Sequence, residues 1–133
     1  MRVDGRCHCG EVAYEAIVDP SRVGICHCTD CQALTGSAYR VTVQASKDAF
    51  FLRAGQPTIY VKTADSGATR AHAFCPRCGS PVYSAATSNP QTYSLRVGCL
   101  RQRAELLPRV QQWCQSALPW AMDLSEIPQV TRQ

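Results

Sequence analysis

The sequence predicts a mainly β protein that forms a single domain over residues 1–133. Segments rich in β-branched and aromatic residues recur along the chain, and turn residues separate them. Patterns that favour helices are scarce. Seven of the nine cysteines lie in three tight clusters, at residues 7–9, 26–31 and 75–78. A chain of this length has room for one hydrophobic core, and cross-links between the cysteine clusters would stabilise it further.

Seven segments have the composition of β-strands. Residues 38–43 alternate polar and apolar side chains, as a half-buried strand does. Residues 50–54 and 58–63 flank the turn signal Gly55-Gln56-Pro57, which predicts a hairpin-like unit. The remaining strands are predicted at residues 12–16, 70–74, 82–84 and 93–97.

Helix is expected in two short segments only. Thr29 is placed to cap a single turn over residues 30–34, and Gly36 is placed to end it. A second helical segment begins at Ala104 and is interrupted by Pro108, which cannot continue a helix. We expect the tail after Trp120 to be irregular.

Composition and charge restrict the classes of partner. Apolar residues make up 45% of the chain, which is enough for a core. We expect a cytoplasmic protein without a membrane partner, because the chain has neither the apolar stretch of a signal peptide nor an apolar run of roughly 20 residues. The formal charge is +4, but the twelve arginines are scattered, so no nucleic acid partner is expected. Most arginines are expected at the solvated surface, although guanidinium groups also suit a ligand with carboxylates.

The cysteines are better explained by metal binding than by disulfides. Their total is odd, no secretory signal precedes them, and the paired cysteines are too close in sequence to join distant segments. Cys75 and Cys78, followed by Gly79, have the spacing of a zinc knuckle. In an extended stretch, residues i and i+2 project to the same side, so Cys7 and Cys9 can bind one metal ion.

The seven clustered cysteines divide most simply into two zinc sites. Cys7, Cys9, Cys75 and Cys78 would form a closed structural site, and Cys26, Cys28 and Cys31 would form a second site. A zinc ion with three protein ligands keeps one position open for water or a substrate atom, so these three cysteines are the candidate catalytic residues. Two alternatives stay open: one structural zinc with an incidental middle cluster, or two structural zincs with a fourth ligand from His27, His72 or Cys99.

The remaining histidines and cysteines are given lesser roles. His8 and His72 are expected to be ordinary polar residues, and Cys99 and Cys114 to be core or surface thiols. His27 is a candidate proton shuttle beside an open zinc, or a solvated residue that supports the metal ligands.

Three motifs carry a resemblance to a known family. They are Gly5-x-Cys7-x-Cys9-Gly10-x-Val12-x-Tyr14, then Cys26-His27-Cys28-Thr29-Asp30-Cys31 with Thr35-Gly36-Ser37, and finally Phe74-Cys75-x-x-Cys78-Gly79-Ser80-Pro81. Together these motifs, over residues 3–120, resemble the glutathione-dependent formaldehyde-activating enzyme family, which includes centromere protein V-like domains.

The resemblance implies a fold, a division of the cysteines and a reaction. The implied fold consists of coiled antiparallel sheets stapled by zinc, similar to small zinc-binding exchange-factor-like proteins, with the same division of cysteines. The implied activity is that of a carbon–sulfur lyase acting on the adduct of glutathione, or a similar thiol, with a small aldehyde. The three-cysteine zinc would take the thiol as its added ligand.

The C-terminal third departs from the family pattern and leaves the substrate open. Many members carry Gly-x-Leu-Asp-Asp where this chain has Gly98-Cys99-Leu100-Arg101-Gln102. The His-Ile/Val-Trp segment that commonly follows appears here as Val110-Gln111-Gln112-Trp113, without a histidine. Pro119-Trp120 matches the usual ending. The alternative functions are a non-catalytic zinc-binding module and a glutathione carrier or sensor.

Overall fold

The structure is a computed structural model that describes residues 1–133. It contains ten β-strands and one α-helix. Short 3-10 turns connect several of these elements. The helix α1 spans Thr29–Thr35. The strands are β1 (Arg2–Arg6), β2 (Ala13–Ile17), β3 (Gly24–Cys26), β4 (Arg40–Ser46), β5 (Phe50–Ala54), β6 (Thr58–Thr63), β7 (Thr69–Phe74), β8 (Pro81–Ala86), β9 (Thr92–Arg96) and β10 (Val110–Gln112).

The strands form two sheets, and the predicted mainly β class is confirmed. The smaller sheet has the order β1-β2-β5, and the larger has the order β10-β3-β4-β9-β8-β7-β6. All pairs are antiparallel except β10 with β3, which run parallel. This exception to the expected antiparallel pattern has a topological cause: a parallel pair needs a long connection, and most of the chain lies between these two strands.

The core takes its residues from both sheets. It is a cluster of fifteen buried residues that includes Val3 and Tyr14 of the smaller sheet and Val43 and Leu95 of the larger one. Alternation along β4 sets the face: Val43 and Ala45 are buried, whereas the intervening positions of the strand face outward.

The opposite face of the larger sheet positions the candidate site. Arg40 begins β4 and is the direct cross-strand partner of Cys26 at the end of β3. Thr42, two residues further along the same face, pairs with Arg96 of β9. Since directly opposed side chains share a face of the sheet, Cys26, Arg40 and Arg96 all project from the side away from the core.

Several local predictions differ from the structure. Cys28, and not Thr29, is the N-cap of α1, because the Cys28 Sγ accepts the Cys31 backbone N–H. Gly36 ends the helix in a left-handed conformation with φ of 61°, as expected. The segment from Ala104 forms a single 3-10 turn rather than a helix.

Strands β1, β3 and β10 were not predicted. Two of them have only three residues, and β1 has charged residues at both ends, so neither length nor composition indicates a strand. No helix of the protein is long and apolar enough to cross a membrane.

Candidate metal centres and the adjoining cavity

Four cysteines from distant parts of the chain meet at one point. The Sγ atoms of Cys7, Cys9, Cys75 and Cys78 all lie within 4.8 Å of one another. The Cys7–Cys9 and Cys9–Cys75 sulfur pairs are 3.6 Å and 3.7 Å apart. Sulfurs arranged tetrahedrally around an ion at about 2.3 Å lie about 3.8 Å from each other, so these four sulfurs could hold one metal ion.

Two tight turns present these sulfurs. Within the first, the Val12 backbone N–H donates to Cys7 Sγ at 3.2 Å. Within the second, the Cys78 backbone N–H donates to Cys75 Sγ at 3.5 Å. The Ser80 hydroxyl lies 3.2 Å from Cys78 Sγ. This contact, together with hydrogen bonds from the backbone N–H groups of Cys9 and Ser80, lowers the pKa of the Cys78 thiol to about 5, which favours the ligating thiolate form.

The second group consists of Cys26, Cys28 and Cys31, whose sulfurs also lie within 4.8 Å of one another. Cys26 ends β3, Cys28 caps α1, and Cys31 lies in the first turn of that helix. All three are half-buried. A sheet edge and a helix start therefore bring together three thiols that are close in sequence.

Ionising all three thiols requires a cation. Burial works against the thiolate of Cys28, but the Cys31 backbone N–H and the neighbouring thiols lower its pKa overall. Burial and the neighbouring thiols of Cys28 and Cys26 raise the pKa of Cys31 to about 12. Because like charges this close oppose one another, the chemistry of the donor set fits a bound metal ion.

No fourth side chain of the protein completes this group. The group of metal-ligating side chains contains three cysteines only. The alternative fourth ligands are engaged elsewhere: His27 Nε2 donates to Gln111 Oε1 at 2.7 Å, and Cys99 Sγ donates to the Pro81 carbonyl at 3.1 Å. His72 contacts two arginines, as described below.

His27 is not the solvated residue that one of the sequence hypotheses required. It is 1% exposed, and its ring lies edge-on to Tyr39 with centroids 5.4 Å apart. The expectation failed because β10, which was not predicted, lies beside β3 and covers this side chain.

A cavity of about 320 Å³ opens on the face of the larger sheet from which Cys26 projects, although none of the three cysteines lines it. Arg40, His72 and Arg96 are among its lining residues, with Leu34 and Phe74 supplying apolar wall. We call this space the arginine cavity. Arg40 relates this cavity to the thiols, because Arg40 and Cys26 are cross-strand partners, whose Cβ atoms lie about 5 Å apart in such pairs.

Both arginines contact the same histidine. Arg40 Nη1 and Arg96 Nη2 lie 3.3 Å and 3.2 Å from His72 Nδ1. Since a guanidinium only donates, Nδ1 accepts and the imidazole is neutral. Burial, followed by the charges of Arg96 and Arg40, lowers the pKa of His72 to about 4. His72 is not among the metal-ligating side chains. Arg40 and Arg96 are exceptions to the expectation that most arginines lie at the solvated surface.

Sequence reasoning missed this cluster for a specific reason. Alternation placed Arg40 on the polar face of a predicted strand, and the same reasoning applied to His72 and Arg96 would have placed each on one face of its own strand. Nothing in the sequence shows that β4, β9 and β7 bring these faces together. The excess of arginine over lysine was the only available signal.

The fold and the two cysteine groups define a β protein with two candidate metal centres. The family model of the glutathione-dependent formaldehyde-activating enzyme matches residues 2–116, and the chain belongs to this family. A crystal structure of a Rhodobacter sphaeroides protein is similar, with a TM-score of 0.63 and 22% sequence identity. The match covers 84% of this chain and 100% of the other and supports the fold.

Proposed function

We propose that this protein is a zinc-dependent carbon–sulfur lyase that acts on the adduct of glutathione, or a similar thiol, with a small aldehyde. The observation that carries the proposal is the group of Cys26, Cys28 and Cys31, which has no fourth ligand from the chain. A cavity of about 320 Å³ opens on the same face of the larger sheet. The description of the family supports glutathione and formaldehyde as the reactants.

The proposed roles of the two cysteine groups differ. Cys7, Cys9, Cys75 and Cys78 form a closed structural zinc site that joins segments 66 residues apart. Cys26, Cys28 and Cys31 hold a zinc ion that, when bound, supplies an open position where a substrate thiol is kept as thiolate at neutral pH.

The residues around the three-cysteine group fix its geometry. The Gln32 side-chain amide donates to the backbone oxygens of His27 and Ser116, at 3.0 Å and 2.9 Å, and thereby ties α1 to the neighbouring chain. The side chains of Leu34 and Phe74 line part of the cavity and would contact the apolar part of a substrate.

The reaction conserves atoms and charge without a further reactant. In the cleaving direction, the hydroxyl group of the thiol–aldehyde adduct gives its proton to solvent water and becomes a carbonyl. The carbon–sulfur bond breaks, and its electron pair returns to the sulfur. The reverse sequence joins the thiolate to the carbonyl carbon and is the formaldehyde-activating direction.

The test is zinc analysis of the native protein and of Cys28→Ser, with glutathione titrated into each. Serine caps a helix as well as this cysteine does, so we expect circular dichroism to stay unchanged. Two zinc ions per chain should fall to one, and both glutathione binding and adduct exchange, followed by NMR, should be lost. Cys114→Ser changes an exposed thiol outside both groups and is the control.

Two outcomes would contradict the proposal. If Cys28→Ser keeps both zinc ions and full exchange, the three-cysteine group is not the site. If the native protein binds glutathione saturably but catalyses no exchange, it is a carrier or sensor and not an enzyme.

A further inference from the structure

We propose that the arginine cavity is a carboxylate-binding site, in which Arg40 and Arg96 hold an acidic group of the substrate whose sulfur lies at the three-cysteine group. The identity of the ligand as a thiol rests on the proposed function. The anion site itself rests on the charges and contacts of the cavity.

The two buried positive charges have no carboxylate partner in the chain. Arg40 and Arg96 are each 6% exposed. The four ion pairs of the protein engage Glu15 twice, Asp30 and Asp4, and none of them includes either arginine. Burying an unpaired charge is costly, so a ligand anion would remove a standing penalty.

Several N–H donors of the two guanidinium groups have no acceptor in the protein. His72 accepts one bond from each guanidinium, although each guanidinium carries five N–H donors. The Nε atoms of both arginines are buried without any partner. Buried polar groups are normally satisfied, and clusters of unused guanidinium donors suit the paired oxygens of a carboxylate.

The surface around the arginine cavity is positively charged. Lys62 and Arg70 also act on His72, so four cations converge on one face of the larger sheet. Among these four cations only Lys62 forms an ion pair, with Asp30 Oδ2 at 2.6 Å from Lys62 Nζ. A neutral histidine between the two buried arginines adds no negative charge. The field in the cavity therefore favours an anion over a neutral ligand.

Position links the anion site to the reaction. Arg40 and Cys26 are directly opposed across β3 and β4, and Leu34 of α1, the helix that carries Cys31, lines the cavity. The cavity and the three thiols therefore share one face of the larger sheet, and a substrate in the cavity would direct its sulfur toward the thiols. A volume of about 320 Å³ is within the range of small-molecule sites. The site should therefore select thiols that carry a carboxylate over neutral thiols.

The anion site can be tested without any reaction. In the zinc-loaded native protein, succinate is titrated and the arginine Nε–H signals are followed in nitrogen–proton correlation spectra. We expect the signals of Arg40 and Arg96 to move saturably with succinate, while its neutral analogue succinamide leaves them in place. If neither signal moves with succinate, the proposal is overturned. This arm needs no variant that could fail to fold.

The link to the substrate is tested with glutathione and its neutral diethyl ester. In the native protein we expect the ester to bind at least about tenfold more weakly than glutathione. In Arg96→Gln and Arg40→Gln that ratio should fall toward one, whereas Arg53→Gln, which changes an exposed arginine of the smaller sheet, should keep it. A purely structural role would weaken both ligands equally and leave the ratio unchanged, which would overturn the proposal.

The two proposals fail in distinguishable ways. If the protein binds succinate but catalyses no adduct exchange, the proposed anion site is supported and the proposed lyase activity is refuted. If the protein catalyses adduct exchange but binds glutathione and its diethyl ester with equal affinity, the proposed lyase activity is supported and the proposed anion site is refuted.

Discussion

Cys28 combines two tasks that are usually given to different residues. Its sulfur lies in the three-cysteine group and also accepts the backbone N–H that begins α1. Free N–H groups at a helix start favour a negative charge, so the same position that caps the helix promotes the thiolate. A substitution by serine can keep the first task and remove the second.

His72 provides a prediction about pH at the scale of one residue. Its pKa is lowered from 6.5 to about 4 by burial and by the nearby arginines, so the folded protein excludes the proton. The resulting stabilisation is fully present above the unfolded value of 6.5 and is lost as pH falls from there through about 4.

The measurement is an NMR titration of the His72 imidazole between neutral pH and about pH 5.5, where an ordinary histidine is mostly protonated. We expect the His72 signals to remain those of the neutral ring. Free histidine in the same tube is the control. Protonation of His72 near pH 6.5 would contradict the described contacts with Arg40 and Arg96.

At the scale of elements, the pairing of β1 with β2 depends on a glycine. Gly5 is the cross-strand partner of Tyr14, a buried core residue whose ring lies directly over the glycine. A Cβ atom at position 5 would overlap that ring. The glycine therefore allows the tyrosine to close the smaller sheet against the core, just before Cys7.

Gly5→Ala should thus destabilise the protein by overpacking. We expect the free energy of unfolding to fall by about 1–3 kcal/mol, measured by denaturant titration of the metal-loaded protein. Gly67→Ala is the control for the loss of a glycine, since no atom lies within 4 Å of a Cβ there, although its φ of 87° adds local strain. A smaller loss for Gly5→Ala than for Gly67→Ala would contradict the described packing.

Local patterns in the sequence predicted where strands form better than they predicted which strands pair with one another. The alternation of residues 38–43 predicted a half-buried strand, and β4 forms there with Val43 in the core. The spacing of Cys75 and Cys78 predicted a zinc knuckle, and a tight turn is present at these residues. The short strands β3 and β10 could not be predicted, because their pairing comes from residues far apart in the chain. Burial of His27 and the cluster of Arg40, His72 and Arg96 follow from such pairing.

At the scale of the whole molecule, the larger sheet separates stability from the candidate chemistry. One face contributes Val43 and Leu95 to the core, and the other carries the arginine cavity and Cys26 of the three-cysteine group. The four-cysteine group lies where the turn after β1 meets the turn after β7. The two metal centres should therefore respond differently to a ligand, although one fold holds both.

The central claim is that one of the two metal centres has an open position, and cadmium NMR of the protein with cadmium in place of zinc tests it most directly. We predict two resonances, of which one moves when glutathione is added and is missing in Cys28→Ser, while the other stays unchanged. Two resonances that both ignore glutathione, or a single resonance in the fully loaded protein, would contradict the account.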